Sequence, residues 1–254
     1  MVGMGSFGVV RRATDTITNT HMACKVIPIG KKTREDIETE VRILRRVESH
    51  PGVVEMIDAY EKDGSVHIVT ELLLGGDLLL SLRDRGSFSE DDARQIFIKV
   101  MESLSHVHAA GVVHRDVKLD NLVMVEPYDV SSVRLIDFGM AAELDGSVMN
   151  MRCGTPHFIA PEVILSSQSY GTEVDVWAAG VVLFQLLSGY LPFDARTVRE
   201  LFKKIIKGKA DFNDPAWSMV SPEAADLTRK LLTVDPSKRP TPEEAMTHPW
   251  VVER

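Results

Sequence analysis

Cysteine is scarce in this 254-residue chain: Cys24 and Cys153 stand far apart with no paired partners, which excludes a disulfide framework and a thiolate zinc site. That usage fits a reducing, cytoplasmic or nuclear setting. A basic excess is also missing. Twenty-nine Lys and Arg face 37 Asp and Glu, a formal net charge of −8, whereas nucleic-acid binders carry the opposite balance. No basic region followed by an apolar core opens the chain, so no signal peptide is expected. The most apolar stretch, residues 176–187, contains Gln185 and falls short of the roughly 20 residues that span a bilayer; it reads as a buried core helix, with no membrane partner. Internal repeats and low-complexity segments are absent. What remains, 44% hydrophobic and 26% charged residues, is the composition of an ordinary soluble protein, long enough for one large domain or two lobes.

The first third reads as short strands and one helix. Val9-Val10 and residues 22–27, 53–59 and 66–70 carry strand character, with Asp63-Gly64 as a turn between the last two. A helix starts at Thr33, where Asp36 completes a capping-box pattern, and Ile37, Val41 and Leu44 form its buried stripe. Glu40 falls on that face. Taken alone, it reads equally well as an edge glutamate reaching water or as the partner of a buried cation, for which Lys25 on the preceding strand is the best candidate. From about Leu74 the pattern turns helical, with Gly75-Gly76 as a break and plausible hinge. Ser89 and Asp92 cap a long helix ending near Gly111, and Ser221-Pro222-Glu223 and Thr241-Pro242-Glu243 start later ones.

Residues 114–121 read His-Arg-Asp-Val-Lys-Leu-Asp-Asn, and Asp137-Phe138-Gly139 follows 21 residues after Asp116. The set supplies a carboxylate for a hydroxyl proton (Asp116), a cation for a phosphate (Lys118) and two oxygen ligands for magnesium (Asn121 and Asp137), the parts that phosphoryl transfer needs. Each residue also has an ordinary structural reading, as core histidine, turn former or cap; their joint order is what carries the signal. Near the start, Gly3-Met4-Gly5-Ser6-Phe7-Gly8 can bring backbone N–H groups close to phosphates. Val9-Val10 continues as strand instead of helix, which excludes a dinucleotide-binding unit. About 20 residues on, Lys25 can reach the same phosphates if Glu40 holds its ammonium.

Taken together these motifs resemble a eukaryotic protein kinase catalytic domain, over nearly the whole chain. The resemblance implies an α+β bilobal fold: a small antiparallel β-sheet lobe with one helix (residues 1–73, its first strand truncated) and a larger, mainly α-helical lobe (residues 74–254). It implies ATP and Mg2+ as cofactors and protein serines or threonines as substrates. Gly3, Gly5 and Gly8 would cover the phosphates, Val10, Ala23 and Val123 would sandwich the adenine, Glu71 and Leu73 would offer it backbone groups, and Asp77 would sit near the ribose. Lys25, Glu40, Asp116 and Lys118 would be catalytic, and Asn121 and Asp137 would hold the metal. Glu162, in Ala160-Pro161-Glu162, would pair with Arg239, and Asp175 would anchor the catalytic loop. Leu44, Met56, His114 and Phe138 resemble the apolar column linking the lobes, and Thr70 falls at the gatekeeper. Lys118 and Thr155 are similar to the serine/threonine branch; residues 189–193 and His248-Pro249-Trp250 are similar to the calcium/calmodulin-dependent group.

Some features depart from the pattern. The chain opens two residues before Gly3, where the family has a longer first strand, so a looser glycine loop and weaker nucleotide affinity are expected. No calcium-responsive segment is seen after Arg254, and a regulatory partner is not visible in this chain. The usual phosphorylation position aligns with Met151, leaving Ser147 and Thr155 as the hydroxyls between Asp137 and Ala160; activity without phosphorylation there is expected. Asp77, with Gln185 at a second acidic position of some relatives, implies a modest preference for one upstream basic residue. The alternative reading is a nucleotide-binding, pseudokinase-like scaffold, against which stands the full set Lys25, Glu40, Asp116, Lys118, Asn121 and Asp137.

Overall fold

A computed structural model describes residues 3–4, 8–144, 154–165 and 170–252. Strands β1 (Gly3–Met4), β2 (Val9–Thr14) and β3 (His21–Pro28) are followed by helix α1 (Arg34–Val47), β4 (Met56–Lys62) and β5 (Ser65–Glu71). All pair antiparallel in the order β1-β2-β3-β5-β4. Gly8 leads into β2 where a Cβ would stand 2.4 Å from the Val26 carbonyl oxygen, so only glycine lets β2 and β3 approach there.

Helix α1 begins as its capping box requires: the Thr33 hydroxyl accepts from Asp36 N–H and the Asp36 carboxylate accepts from Thr33 N–H. Its buried face comprises Ile37, Glu40, Ile43, Leu44 and Val47, with Val41 only half-buried. The expected stripe through Val41 is therefore rotated, because the 37–40–44–47 row and Ile43 are the positions turned into the interior. The expected strand over 53–59 starts later, at Met56. Val54 N–H instead donates to the Leu135 carbonyl at 3.1 Å, and Leu135 N–H to Gly52 O at 2.8 Å, so this segment is tied to the other half of the chain.

That half is mainly helical. It contains α2 (Leu78–Arg85), α3 (Glu90–Ala109), α4 (Pro161–Leu165), α5 (Glu173–Ser188), α6 (Val198–Lys207), α7 (Pro222–Leu231), α8 (Pro242–Met246) and α9 (Pro249–Val252). Between α3 and α4, β6 (Val112–Val113) pairs with β9 (Ala142–Glu143), and β7 (Leu122–Met124) with β8 (Val133–Leu135). Residues 174–188 of α5 are buried all round, as an apolar helix at the centre of a core must be. Among the described residues no helix is long and apolar enough to cross a membrane. Glu90, at the start of α3, accepts from Ser221 Oγ, Ser221 N–H and Trp250 Nε1 at 2.6, 3.0 and 2.7 Å, fastening the long helix to α7 and α9. At the break between the halves, Gly75 N–H donates to Met124 O at 2.9 Å. A Cβ on Gly75 would meet the Met124 and Glu126 carbonyls at 2.7 and 2.5 Å. The architecture is α+β.

Candidate active site

The loop after β6 is shaped by one buried carboxylate. Asp175, on α5 and 1% exposed, accepts from the N–H groups of His114 and Arg115 at 2.9 and 2.8 Å and from His108 Nε2 at 2.9 Å. Burial pushes this carboxyl up, but the His108 and backbone hydrogen bonds outweigh it and hold it below the usual carboxylate range. These bonds secure Arg115 at φ +66°, a left-handed conformation that costs a non-glycine residue of order 1–3 kcal/mol. His114 Nε2 faces the Ile136 carbonyl at 3.1 Å, and Asp116 N–H points at His114 Nδ1. A carbonyl only accepts, so Nε2 carries a proton and donates to it.

The turn delivers Asp116, 4% exposed, into a tight cluster. Lys118 Nζ donates to Asp116 Oδ2 at 2.7 Å and to Thr155 Oγ1 at 2.9 Å, while the Thr155 hydroxyl donates to Asp116 Oδ1 at 2.9 Å. Asn121 Nδ2 donates to the Asp116 carbonyl at 2.8 Å and to Oδ2 at 3.0 Å. Among the described residues Oδ1 accepts one bond, from Thr155, where a carboxylate oxygen has room for two. Motif spacing alone did not reveal that Thr155 bridges Asp116 and Lys118.

Asp137 sits at φ +58°. Its Oδ1 receives Lys25 Nζ at 2.6 Å and Gly139 N–H at 3.3 Å. Burial raises its pKa, yet the adjacent Lys25 ammonium and the Gly139 N–H prevail and hold it below the usual range. Lys25 Nζ also binds Glu40 Oε1 at 2.6 Å. Its burial favours the neutral amine, but the two carboxylates overcome that and raise its pKa. Of the two readings of Glu40, the buried partner is the observed one: it is 4% exposed and ion-paired. A further lysine, Lys32, donates to Glu40 Oε2 at 2.8 Å and to Gly139 O at 2.6 Å. Its position in the loop between β3 and α1 carries no periodic signal, and the sequence reading missed it.

These groups open onto a cleft of about 510 Å³ between the sheet and the helical body. Val10, Ala23, Lys25, Glu40, Glu71, Leu73, Asp77, Lys118, Asn121, Val123 and Asp137 line it, each of them named from sequence. Leu80, Asp120 and Ile136 join them unforeseen. Asp116 is not among the lining residues; it is bonded to Lys118 and Asn121, which are. Asp77 also caps α2 through Oδ1 to Leu80 N–H at 2.8 Å. Gly3 pairs with Val10 at the sheet edge; Gly5, Ser147, Met151 and Cys153 lie outside the described residues. Among the described residues no cluster of three His, Cys, Asp or Glu gathers as a metal site. Asn121 and Asp137 do offer an amide and a carboxylate oxygen, the donor types of a hard cation that completes its shell with phosphate and water.

The segment beyond Gly139 is held by the chain's own groups. Arg115 Nε donates to Met140 O at 2.6 Å and Nη2 to Ala141 O at 3.3 Å. Glu143 on β9 pairs with Arg42 and Arg46 of α1 at 2.7 and 2.6 Å. Glu162 and Arg239 form a two-pronged pair at 2.8 and 3.1 Å. A second groove, of about 690 Å³, runs past Leu79, Asp120, Phe158, Gln185 and Asp194.

The family described as protein kinase domain matches residues 1–251. Calcium/calmodulin-dependent protein kinase type 1 of Macrobrachium nipponense is 39% identical over 254 residues, covering 99% of this chain and 73% of that protein. Calcium-dependent protein kinase 29 of Arabidopsis thaliana and calcium-dependent protein kinase 7 of Oryza sativa subsp. japonica are each 38% identical over 257 residues, with 99% of this chain covered. The chain spans about half the length of these two, 48% and 47%.

Proposed function

Since the chain belongs to the protein kinase family and is a protein serine/threonine kinase, we propose that the cleft binds ATP with magnesium and that the Asp116 cluster passes its γ-phosphate to a substrate hydroxyl. The observation that carries this is the meeting of two networks at one cleft: Asp116–Thr155–Lys118–Asn121 on one side and Lys25–Glu40–Asp137 on the other. Val10, Ala23 and Val123 supply apolar walls for the adenine. Glu71 gives its N–H to Glu55 O, so its carbonyl and the Leu73 backbone are what the base would meet, with Asp77 near the ribose. Gly3, Gly5 and Gly8 would cover the phosphates, and Lys25 would turn from Asp137 toward them. Asn121 and Asp137 would hold magnesium, which when bound neutralises phosphate charge. Asp116 accepts the hydroxyl proton as the new oxygen–phosphorus bond forms and ADP departs, while Lys118 offsets the charge on the transferred group.

The substrate is a protein segment, taken with a modest preference for one upstream basic residue. Asp77, and the carboxylates of Asp120 and Asp194 along the second groove, favour a cation there, whereas Gln185 adds no charge. Activity does not require a phosphate at the usual position, because Arg115 is already engaged by backbone carbonyls and Glu143 joins β9 to α1. The names of the relatives suggest a calcium-responsive regulator, and a cytoplasmic or nuclear setting fits the two cysteines. The test is γ-phosphate transfer to serine peptides with and without an upstream arginine, before and after phosphatase treatment. Transfer that prefers the arginine and survives phosphatase supports the reading. Loss after phosphatase, or selection for acidic or proline-flanked peptides, contradicts these finer points; an Asp116→Asn chain as active as wild type contradicts the site.

A further inference from the structure

Lys32 adds something that the two networks above do not explain. Its side chain is 7% exposed, although it belongs to a loop between a strand and a helix, where a lysine ordinarily keeps its ammonium in water. Nζ is directed inward, at 2.8 Å from Glu40 Oε2 and 2.6 Å from the Gly139 carbonyl. Glu40 therefore has a lysine on each oxygen, Lys25 on Oε1 and Lys32 on Oε2.

The charges explain why two are needed. Lys25, Glu40 and Asp137 alone would leave a buried net negative charge, which is a costly state. With Lys32 the set holds two cations and two anions. Glu40 also keeps a counter-charge when a nucleotide draws Lys25 toward its phosphates. The second bond, to Gly139 O, fixes α1 against the Asp137 loop through a single ammonium. From this geometry we infer that Lys32 is a positioning residue for phosphoryl transfer, holding Glu40 and the Asp137–Gly139 turn in register so that Lys25 stays free to be shared with the nucleotide. The inference rests on the kinase reading of the cleft.

The experiment compares wild type, Lys32→Met and Lys32→Arg. Steady-state kinetics are taken in magnesium-ATP and a basic serine peptide, and amide hydrogen exchange is followed without nucleotide. Losing the ammonium's two bonds, to Glu40 and to Gly139 O, lowers kcat/KM for ATP at least about tenfold in Lys32→Met, while KM for the peptide stays within about twofold. Lys32→Arg recovers most of the loss, and in Lys32→Met the amides of residues 34–47 and 137–144 exchange faster. The inference is overturned by an unchanged kcat/KM for ATP, by equal losses toward ATP and peptide, by an arginine variant as impaired as the methionine one, or by unchanged exchange. Should Lys32→Met not fold, Lys32→Gln keeps a donor without the charge and is read by the same split. An inactive wild type would sink the kinase reading instead, and hydrogen exchange would still decide the role of Lys32.

Discussion

Breaking the Glu162–Arg239 pair from each side separates a buried charge from an ordinary hydrogen bond. The Arg239 side chain is 0% exposed and that of Glu162 15%. The guanidinium gives two bonds to the carboxylate, one to Glu173 O at 2.6 Å and two to Thr233 O at 3.0 and 3.1 Å, and lies 5.2 Å from the centre of the Trp177 ring. Glu162→Ala strands a cation that water cannot reach, which costs about 3–5 kcal/mol. Arg239→Met strands a carboxylate nearer to solvent and frees carbonyls of Glu173 and Thr233, for a smaller loss of about 2–4 kcal/mol. The double variant has no stranded charge, so its loss falls short of the sum by about 2 kcal/mol. For a chain of this size a 4 kcal/mol loss lowers Tm by about 10 °C. Urea unfolding followed by tryptophan fluorescence measures all three, with Trp177 as a reporter beside the guanidinium. Single variants within about 1 kcal/mol of wild type, or strictly additive losses, would refute the claim that this pair is a buried, mutually dependent brace.

Thr155→Val removes the bond to Asp116 Oδ1 and the acceptor for Lys118, so kcat falls about 10- to 100-fold with little change in melting temperature, and Thr155→Ser retains most of the rate. Acid weakens the fold in a defined window. Glu90, Asp137 and Asp175 all have pKa values held below the ordinary carboxylate range. Their contribution is therefore complete above the unfolded-state values and is lost as pH falls through the lowered folded ones, below about pH 4. Urea stability measured from pH 3 to 7 should drop there, and Glu90→Gln should flatten part of the drop; a stability that rises toward pH 3 would contradict the assignment.

What the sequence made legible follows the strength of its physical signals. Capping pairs such as Thr33 with Asp36 act over four residues, and the helix starts where they predict. Lys25 and Glu40 could be paired because a strand lysine and a glutamate on an apolar helical face leave few alternatives in a core. The residues of the 114–121 loop stood out through their order, although the hydroxyl of Thr155 at Asp116 came from the fold of a distant segment. Val53 and Val54 read as strand because β-branched residues suit one, yet their partner is Leu135, 81 residues beyond Val54, and local propensity carries no trace of it. Arg42 and Arg46 look like a solvated helix face until β9 brings Glu143 against them. Lys32 was missed for the same reason, since its partners lie eight and 107 residues away.

The most direct test of the account is magnesium-dependent transfer of radiolabelled γ-phosphate from ATP to a basic serine peptide, with wild type beside Asp137→Asn and nucleotide affinity measured for both without magnesium. The account predicts transfer by wild type and loss of transfer in the variant, which still binds nucleotide. Equal transfer by both chains, or none from a wild type that binds magnesium-ATP, would contradict the claim that the Asp116 and Asp137 networks together form a phosphoryl-transfer site.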